Sequence, residues 1–173
     1  LTLLSAFLYV LVYTPMKRWT WWNTSVGAIP GAMPPLLGWA AATNTLDTGA
    51  WILFAVLYIW QHPHFWAIAW MYREDYARGG MKMLPVVDPD GPTLSRQVIG
   101  LSILMIPVSL IPTFIHMSGW IYFVGALVLG LVFLFYGIAF VRNKTQDTAR
   151  TLMRFSLVYL PLLLIIIALD SIL

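Results

Sequence analysis

Residues 50–71 read AWILFAVLYIWQHPHFWAIAWM, and residues 72–85 follow at once as YREDYARGGMKMLP. The first stretch is long and apolar enough to cross a hydrocarbon layer as a helix, for which about 20 residues suffice. The second turns abruptly to mixed charge. A spanning helix delivered to a membrane surface has this pattern, and its repetition along the chain decides the fold class.

Apolar segments occupy residues 1–13, 24–42, 50–71, 98–115, 119–141 and 152–173. The first is too short to span and reads as the tail of a helix. The expectation is therefore a single all-α polytopic membrane domain over residues 1–173, with about five full spans and the tail of a sixth. The chain opens inside an apolar run with no basic leader, and its first methionine is Met16, so the domain is expected to be incomplete at its N-terminus.

Composition agrees. The 173 residues are 60% hydrophobic and 10% charged, with a mean hydropathy of +0.80, which leaves too little polar surface to clothe a soluble globule. The absence of cysteine excludes disulfides, thiolate zinc sites and cysteine nucleophiles.

Threading the segments alternately through a bilayer puts connections 14–23, 72–97 and 142–151 on one side. Those three hold every Lys and Arg except Arg154, which sits just inside the last segment from the same side. The positive-inside rule makes that face cytoplasmic. The net charge of +3 is thus a consequence of topology. Anionic lipid headgroups or phosphate-bearing substrates account for it, and no nucleic-acid partner is called for.

The 72–85 stretch carries the strongest chemical signal. Mg²⁺ keeps several waters and is held by one or two carboxylates plus phosphate oxygens, while Lys and Arg neutralise the remaining charge. Asp75 is the first candidate for a metal ligand, with Arg73, Arg78 and Lys82 as phosphate contacts. Lys17, Arg18 and Asn23 form a second cluster on the same face. The segment after it holds Gly27, Pro30, Gly31, Pro34, Pro35 and Gly38, so it cannot be a regular helix throughout and is expected to line a cavity.

Gln61, His62 and His64 place three polar side chains inside an apolar span, which marks a functional site. Pro63 between the histidines is expected to kink the helix. If that helix continued to Asp75, eleven residues on, His64 and Asp75 would share a face about 16 Å apart, and His62 would align with Arg73 in the same way. A histidine satisfied by a neighbouring carbonyl is the plain alternative for either ring.

The stretches 13–18 (YTPMKR), 23–39 (NTSVGAIPGAMPPLLGW), 60–66 (WQHPHFW) and 72–85 together resemble the haem branch of the UbiA superfamily of membrane prenyltransferases, the protohaem IX farnesyltransferases. The detailed likeness runs from about residue 13 through 88; beyond that it lies in hydropathy and helix order. The resemblance implies a nine-helix bundle in the bacterial cytoplasmic membrane, with Mg²⁺ and farnesyl diphosphate held between two acidic cytoplasmic motifs. Asp75 matches the second motif, with Gly79 in place of a further Asp, as is usual in this branch. The first motif has no counterpart here, so this stretch alone is expected to be inactive.

The implied reaction transfers the farnesyl group to a vinyl group of protohaem IX to give haem O. In it Asp75 binds the metal and Lys82 acts with it on the leaving group. Lys17, Arg18, Arg73 and Arg78 bind diphosphate, Asn23 orients it, and His62 and His64 contact haem. Haem A synthase or terminal-oxidase assembly would be downstream partners.

Three rivals share parts of this pattern. A sibling prenyltransferase acting on a quinone precursor or chlorophyllide would lack a reason for the His62/His64 pair. A haem-carrying electron-transfer protein would need His62, His64 or His116 as axial ligands, yet residues two apart on a helix point roughly opposite ways and His116 lies at the far face. A transporter should show a second broken segment, and only one is present.

Overall fold

A computed structural model of the chain describes residues 1–170. Helix α1 (Thr2–Phe7) runs through a π-helical stretch, Leu8–Tyr13, into α2 (Thr14–Trp19). Two half-helices follow, α3 (Asn23–Gly31) and α4 (Met33–Thr43), and then the long α5 (Thr48–Met71). Short helices α6 (Arg73–Arg78) and α7 (Leu84–Val87) lead to three more long ones: α8 (Pro92–Phe114), α9 (Trp120–Asn143) and α10 (Gln146–Asp170). The described residues contain no strand.

Helices α5, α8, α9 and α10 are each long and apolar enough to cross a membrane. The chain is an integral membrane protein built as a helical bundle. The remaining predicted span, 24–42, is realised as the two half-helices α3 and α4, each too short to cross alone. Pro30 lies inside α3 and prolines open α4, so the ladder between them loses donors. Neighbouring helices supply replacements at this break: Gln61 Nε2 donates to the Ala28 carbonyl at 2.9 Å, and Ser5 Oγ reaches the Pro30 carbonyl at 3.5 Å.

α5 is the hub, packing on α3, α4, α8 and α10. Gln61, His62, Pro63 and His64 are consecutive and all buried, so the middle of α5 is packed on more than one face. The other long helices bury only a stripe. On α9 it runs Tyr122, Ala126, Gly130, Phe133, Gly137 and Phe140, at spacings of three and four, while Val124, Val128, Leu131 and Phe135 on the opposite face are exposed to the lipid. Gly130 is small because Ile106 of α8 packs onto it: a Cβ there would lie 3.0 Å from Ile106 Cγ1 and 3.6 Å from its Cα.

Several boundaries differ from the hydropathy reading. α2 extends to Trp19 and carries Lys17 and Arg18 in its last turn; α8 begins at Pro92; and the 142–151 connection shrinks to Lys144 and Thr145. Lys, Arg and Gln are good helix formers, so helices outrun their apolar stretches. The last predicted segment, 152–173, ends on residues 171–173, which lie outside the described residues. α5 is helical through Pro63 as far as Met71 and ends at Tyr72, whose φ of −108° and ψ of 22° turn the chain into α6. The helical arithmetic pairing His64 with Asp75 and His62 with Arg73 therefore fails.

The end opposite the basic face is tied by carboxylates. Asp47 caps α5, accepting from Gly49 N at 3.0 Å and Ala50 N at 3.4 Å, and also takes the Trp39 indole N–H at 3.1 Å. Asp170, for which the sequence suggested no role, accepts from Gly119 N and, at 3.3 Å, from Tyr122 N. It thereby caps α9 from the far end of α10.

Candidate active site

Two polar clusters far apart in sequence meet at the basic end. Asn23 is fully buried, and its amide donates to the Thr20 carbonyl at 2.6 Å and to the Lys82 carbonyl at 3.1 Å. The Lys82 backbone N–H donates in turn to the Lys17 carbonyl at 2.7 Å. Asn23 thus clamps the 79–83 turn against the end of α2. That turn needs its glycines: Gly80 has φ +67°, a conformation strained for other residues, and lets Met81 N return to the Tyr76 carbonyl at 2.9 Å. The Lys17 ammonium lies 4.5 Å from the Tyr13 ring centroid.

Beneath the clamp lies a cavity of about 180 Å³ whose walls include Tyr9, Tyr13, Gln61, Phe65, Tyr76 and Met83. Gly27 and Gly31 form its α3 side because bulk there would collide with the neighbours. A Cβ on Gly27 would come within 2.5 Å of the Tyr13 ring, and one on Gly31 would overlap Gln61 Oε1. Three of the wall residues have a charged neighbour: Tyr76 follows Asp75, Met83 follows Lys82, and Tyr13 carries Lys17. Burial, with Tyr72 adding to it, raises the Tyr76 phenol above its usual range, so it presents a neutral ring and hydroxyl.

A second, wider cleft of about 500 Å³ opens between α6 and the α9–α10 turn. Arg73, Glu74, Asp75 and Arg78 line one side, Lys144 and Gln146 the other. Trp70 organises it: Arg73 stacks on its ring at 4.7 Å and its indole N–H donates to the Lys144 carbonyl at 2.9 Å. Lys144 Nζ continues to the Asp90 carbonyl at 2.5 Å. Asp75 pairs with Arg78, and both side chains are solvent-accessible.

The predicted site residues therefore fall into three places. Asp75, Arg73 and Arg78 open into the wide cleft, while Lys17, Asn23 and Lys82 are joined by the clamp over the aromatic cavity, and Arg18 is exposed beside them. The histidines lie apart on different sides of α5. His62 Nδ1 contacts the Tyr58 carbonyl at 2.7 Å and its Nε2 contacts Ser25 Oγ of α3 at 3.2 Å; His64 Nδ1 meets Ser156 Oγ of α10 at 2.6 Å. Among the described residues, no three His, Asp or Glu side chains converge as a metal cage. One open carboxylate flanked by guanidinium groups does fit Mg²⁺ in its usual mode, bridged to substrate oxygens and waters. Trp70, Lys144 and Gln146 escape sequence reasoning as site residues. Gln61, singled out as polar inside a span, does line the aromatic cavity.

The sequence profile of the UbiA prenyltransferase family matches residues 1–160. Over 162 residues the chain is 54% identical to the protoheme IX farnesyltransferase of Solibacter usitatus (strain Ellin6076), a match covering 94% of this chain and 56% of that protein. It is 48% identical to the protein of the same name from Salinibacter ruber (strain DSM 13855 / M31), over 94% and 57% of the two chains. With that of Koribacter versatilis (strain Ellin345) it shares 41% identity over 98% and 57%. The chain spans about half the length of the curated relatives it matches. No solved structure matches.

Proposed function

The chain belongs to the UbiA prenyltransferase family, and from that premise we propose that it is the C-terminal part of a protohaem IX farnesyltransferase, one transmembrane domain over 1–173 that is incomplete at its N-terminus. The observation that carries this reading is the Asn23 clamp. It brings Lys17 and Lys82 to the rim of an aromatic cavity whose wall residue Tyr76 adjoins Asp75. A charged rim over an apolar, aromatic interior suits an isoprenoid diphosphate, with its anionic head at the surface and its chain inside.

In the reaction the bond between farnesyl C1 and the diphosphate oxygen breaks, and the electron pair leaves with the diphosphate. C1 then joins a vinyl carbon of protohaem IX; water adds to the adjoining carbon and loses a proton, giving the hydroxyethylfarnesyl group of haem O. Asp75 would hold Mg²⁺, which supplies charge neutralisation on the diphosphate. Arg73, Arg78, Lys82, Lys17 and Arg18 stabilise the departing anion at fixed positions. Asn23, being buried, orients diphosphate by fixing the backbone of residues 17–20 and 82. Tyr13, Tyr76 and Phe65 present π faces to the allylic cation and exclude water until the new bond forms. His62 and His64 are the candidates for contacting the haem acceptor, and since they lie on different sides of α5 one of them serves it.

The same reading puts the basic end at the cytoplasm of a bacterial inner membrane, supported by the charge asymmetry. Haem A synthase or terminal-oxidase assembly takes up the product. The test is conversion of protohaem and farnesyl diphosphate to haem O in membranes carrying the upstream-extended protein. Mg²⁺-dependent product is expected; activity on another aromatic acceptor with none on protohaem would move the chain to a sibling branch.

A further inference from the structure

The three glycines of α9 each stand where a neighbour leaves little room for a side chain. A Cβ on Gly125 would meet Ile166 Cδ1 at 3.0 Å, one on Gly130 would meet Ile106, and one on Gly137 would meet Ser102 Oγ at 3.1 Å. Gly100 of α8 is different. A Cβ there would have no atom within 4 Å, although glycine inside a helix is less stable than a residue with a side chain. Packing within the chain therefore does not account for it.

Gly100 helps to form a groove of about 420 Å³ between α8 and α9, lined also by Ser95, Arg96, Ile99 and Val141. Arg96 and Gly100 are exposed, and so are Ile103 and Leu104 about one turn further along α8, so the groove opens outward onto an apolar face. Arg96 stands one turn above Gly100, about 6 Å nearer the basic end. Ser95 Oγ donates to the Gly91 carbonyl at 2.6 Å, whereas Arg96 has neither a carboxylate nor a hydrogen-bond acceptor among the described residues. The guanidinium is thus the group in this groove with donors to spare. Val141 is followed by Arg142 in the last turn of α9, which puts a second cation at that depth. A cation at the surface above an open apolar channel is complementary to an amphiphile with an anionic head.

We propose that the α8–α9 groove seats one anionic phospholipid from the leaflet at the basic end, with its phosphate on Arg96 and an acyl chain lying over Gly100. A phospholipid with its own ammonium brings a competitor for the phosphate, so a headgroup such as phosphatidylglycerol is favoured. The site requires only that the bundle lies in a membrane and is independent of the farnesyltransferase reading. It bears on the candidate active site through the start of α8. Asp88 accepts from Leu94 N at 2.9 Å, tying the connection that carries Asp75 and Lys82 to the helix that the lipid holds.

The test uses the upstream-extended protein, stripped of lipid in detergent and titrated with dioleoyl phosphatidylglycerol or dioleoyl phosphatidylcholine, with bound lipid counted by native mass spectrometry. The wild type should prefer phosphatidylglycerol, and Arg96→Gln should weaken that lipid about fivefold while leaving phosphatidylcholine unchanged. Gly100→Leu fills the groove and should weaken both lipids, with Gly100→Ala intermediate. Because neither displaces an atom of the chain, the lipid-free melting temperature of both should equal or exceed that of the wild type. In the Gly100→Leu background Arg96→Gln should have no further effect, since the two act at one site.

Equal affinity of the wild type for the two lipids overturns the headgroup assignment. Undiminished lipid binding by Gly100→Leu removes the acyl chain from the groove. An Arg96→Gln loss that persists in full in the Gly100→Leu background makes the arginine a diffuse surface charge, and the proposal fails. A lowered lipid-free melting temperature in both glycine variants, or the loss of a crosslinked dimer, shows that protein fills the groove and overturns the lipid assignment as well.

Discussion

The first 43 residues and the α8–α10 group solve the same problem in different ways. α8, α9 and α10 are unbroken helices that meet along stripes at spacings of three and four, with exposed apolar side chains on the faces away from them. In the first 43 residues a π-helical stretch, a break at Ala32 and two half-helices replace regular spans, and side chains from elsewhere repair the backbone. Regular helices supply a wall, whereas interrupted ones expose glycines and carbonyls that can shape a cavity. α5 belongs to both regions, which is why its middle turns hold four polar or proline residues in succession, all buried.

The contrast predicts that a change at the interrupted side, or on the loop clamped to it, damages chemistry, while a change along the buried stripes of α8, α9 and α10 damages only stability. The largest effect belongs to Asp75→Ala, which should lower haem O formation on the order of 10²-fold in the upstream-extended protein while leaving its melting temperature unchanged, because the side chain is exposed. Loss of stability without further loss of rate would place Asp75 outside the chemistry. Gly130→Leu should do the reverse: pushing a side chain into Ile106 destabilises the protein by about 3 kcal/mol, read from thermal unfolding, with the KM for farnesyl diphosphate unaltered in the fraction that folds.

Asn23→Ala comes next. It leaves the Lys82 carbonyl without its buried donor and frees the 79–83 turn, so about 2 kcal/mol of stability and a rise in the farnesyl diphosphate KM are expected together. A KM that stays fixed would separate the clamp from substrate binding. The smallest effect is Gly31→Ala, which displaces Gln61 and loses its bond to Ala28, at a cost of about 1 kcal/mol. In a Gln61→Ala background the same substitution should be nearly neutral; a cost undiminished there would show that the wall clashes with something other than Gln61.

Legibility in the sequence divides along the same line. Spans α5, α8, α9 and α10 were readable because apolar length alone determines them, and the interrupted α3–α4 segment because Gly and Pro act locally. The helix ends were not, since charged residues such as Arg142 and Arg150 continue a helix as well as apolar ones do. The break at Tyr72 has neither Gly nor Pro to announce it. At the site, Asp75 and the cations beside it stood out as a cluster of mixed charge. The Asn23–Lys82 clamp spans 59 positions and the His64–Ser156 contact 92, and no local pattern records such pairings. His62 and His64 look equivalent in the sequence and become distinct only through the helix that each one faces.

The carboxylate of Asp170 reaches the first amides of α9, 48 and 51 positions earlier in the chain. During synthesis α9 therefore enters the membrane with that end open, and it stays open until the chain has been made at least as far as Asp170. The α9–α10 hairpin closes only once α10 is complete. Asp170→Ala would remove no hydrophobic mass, yet would leave the first amides of α9 without their carboxylate partner.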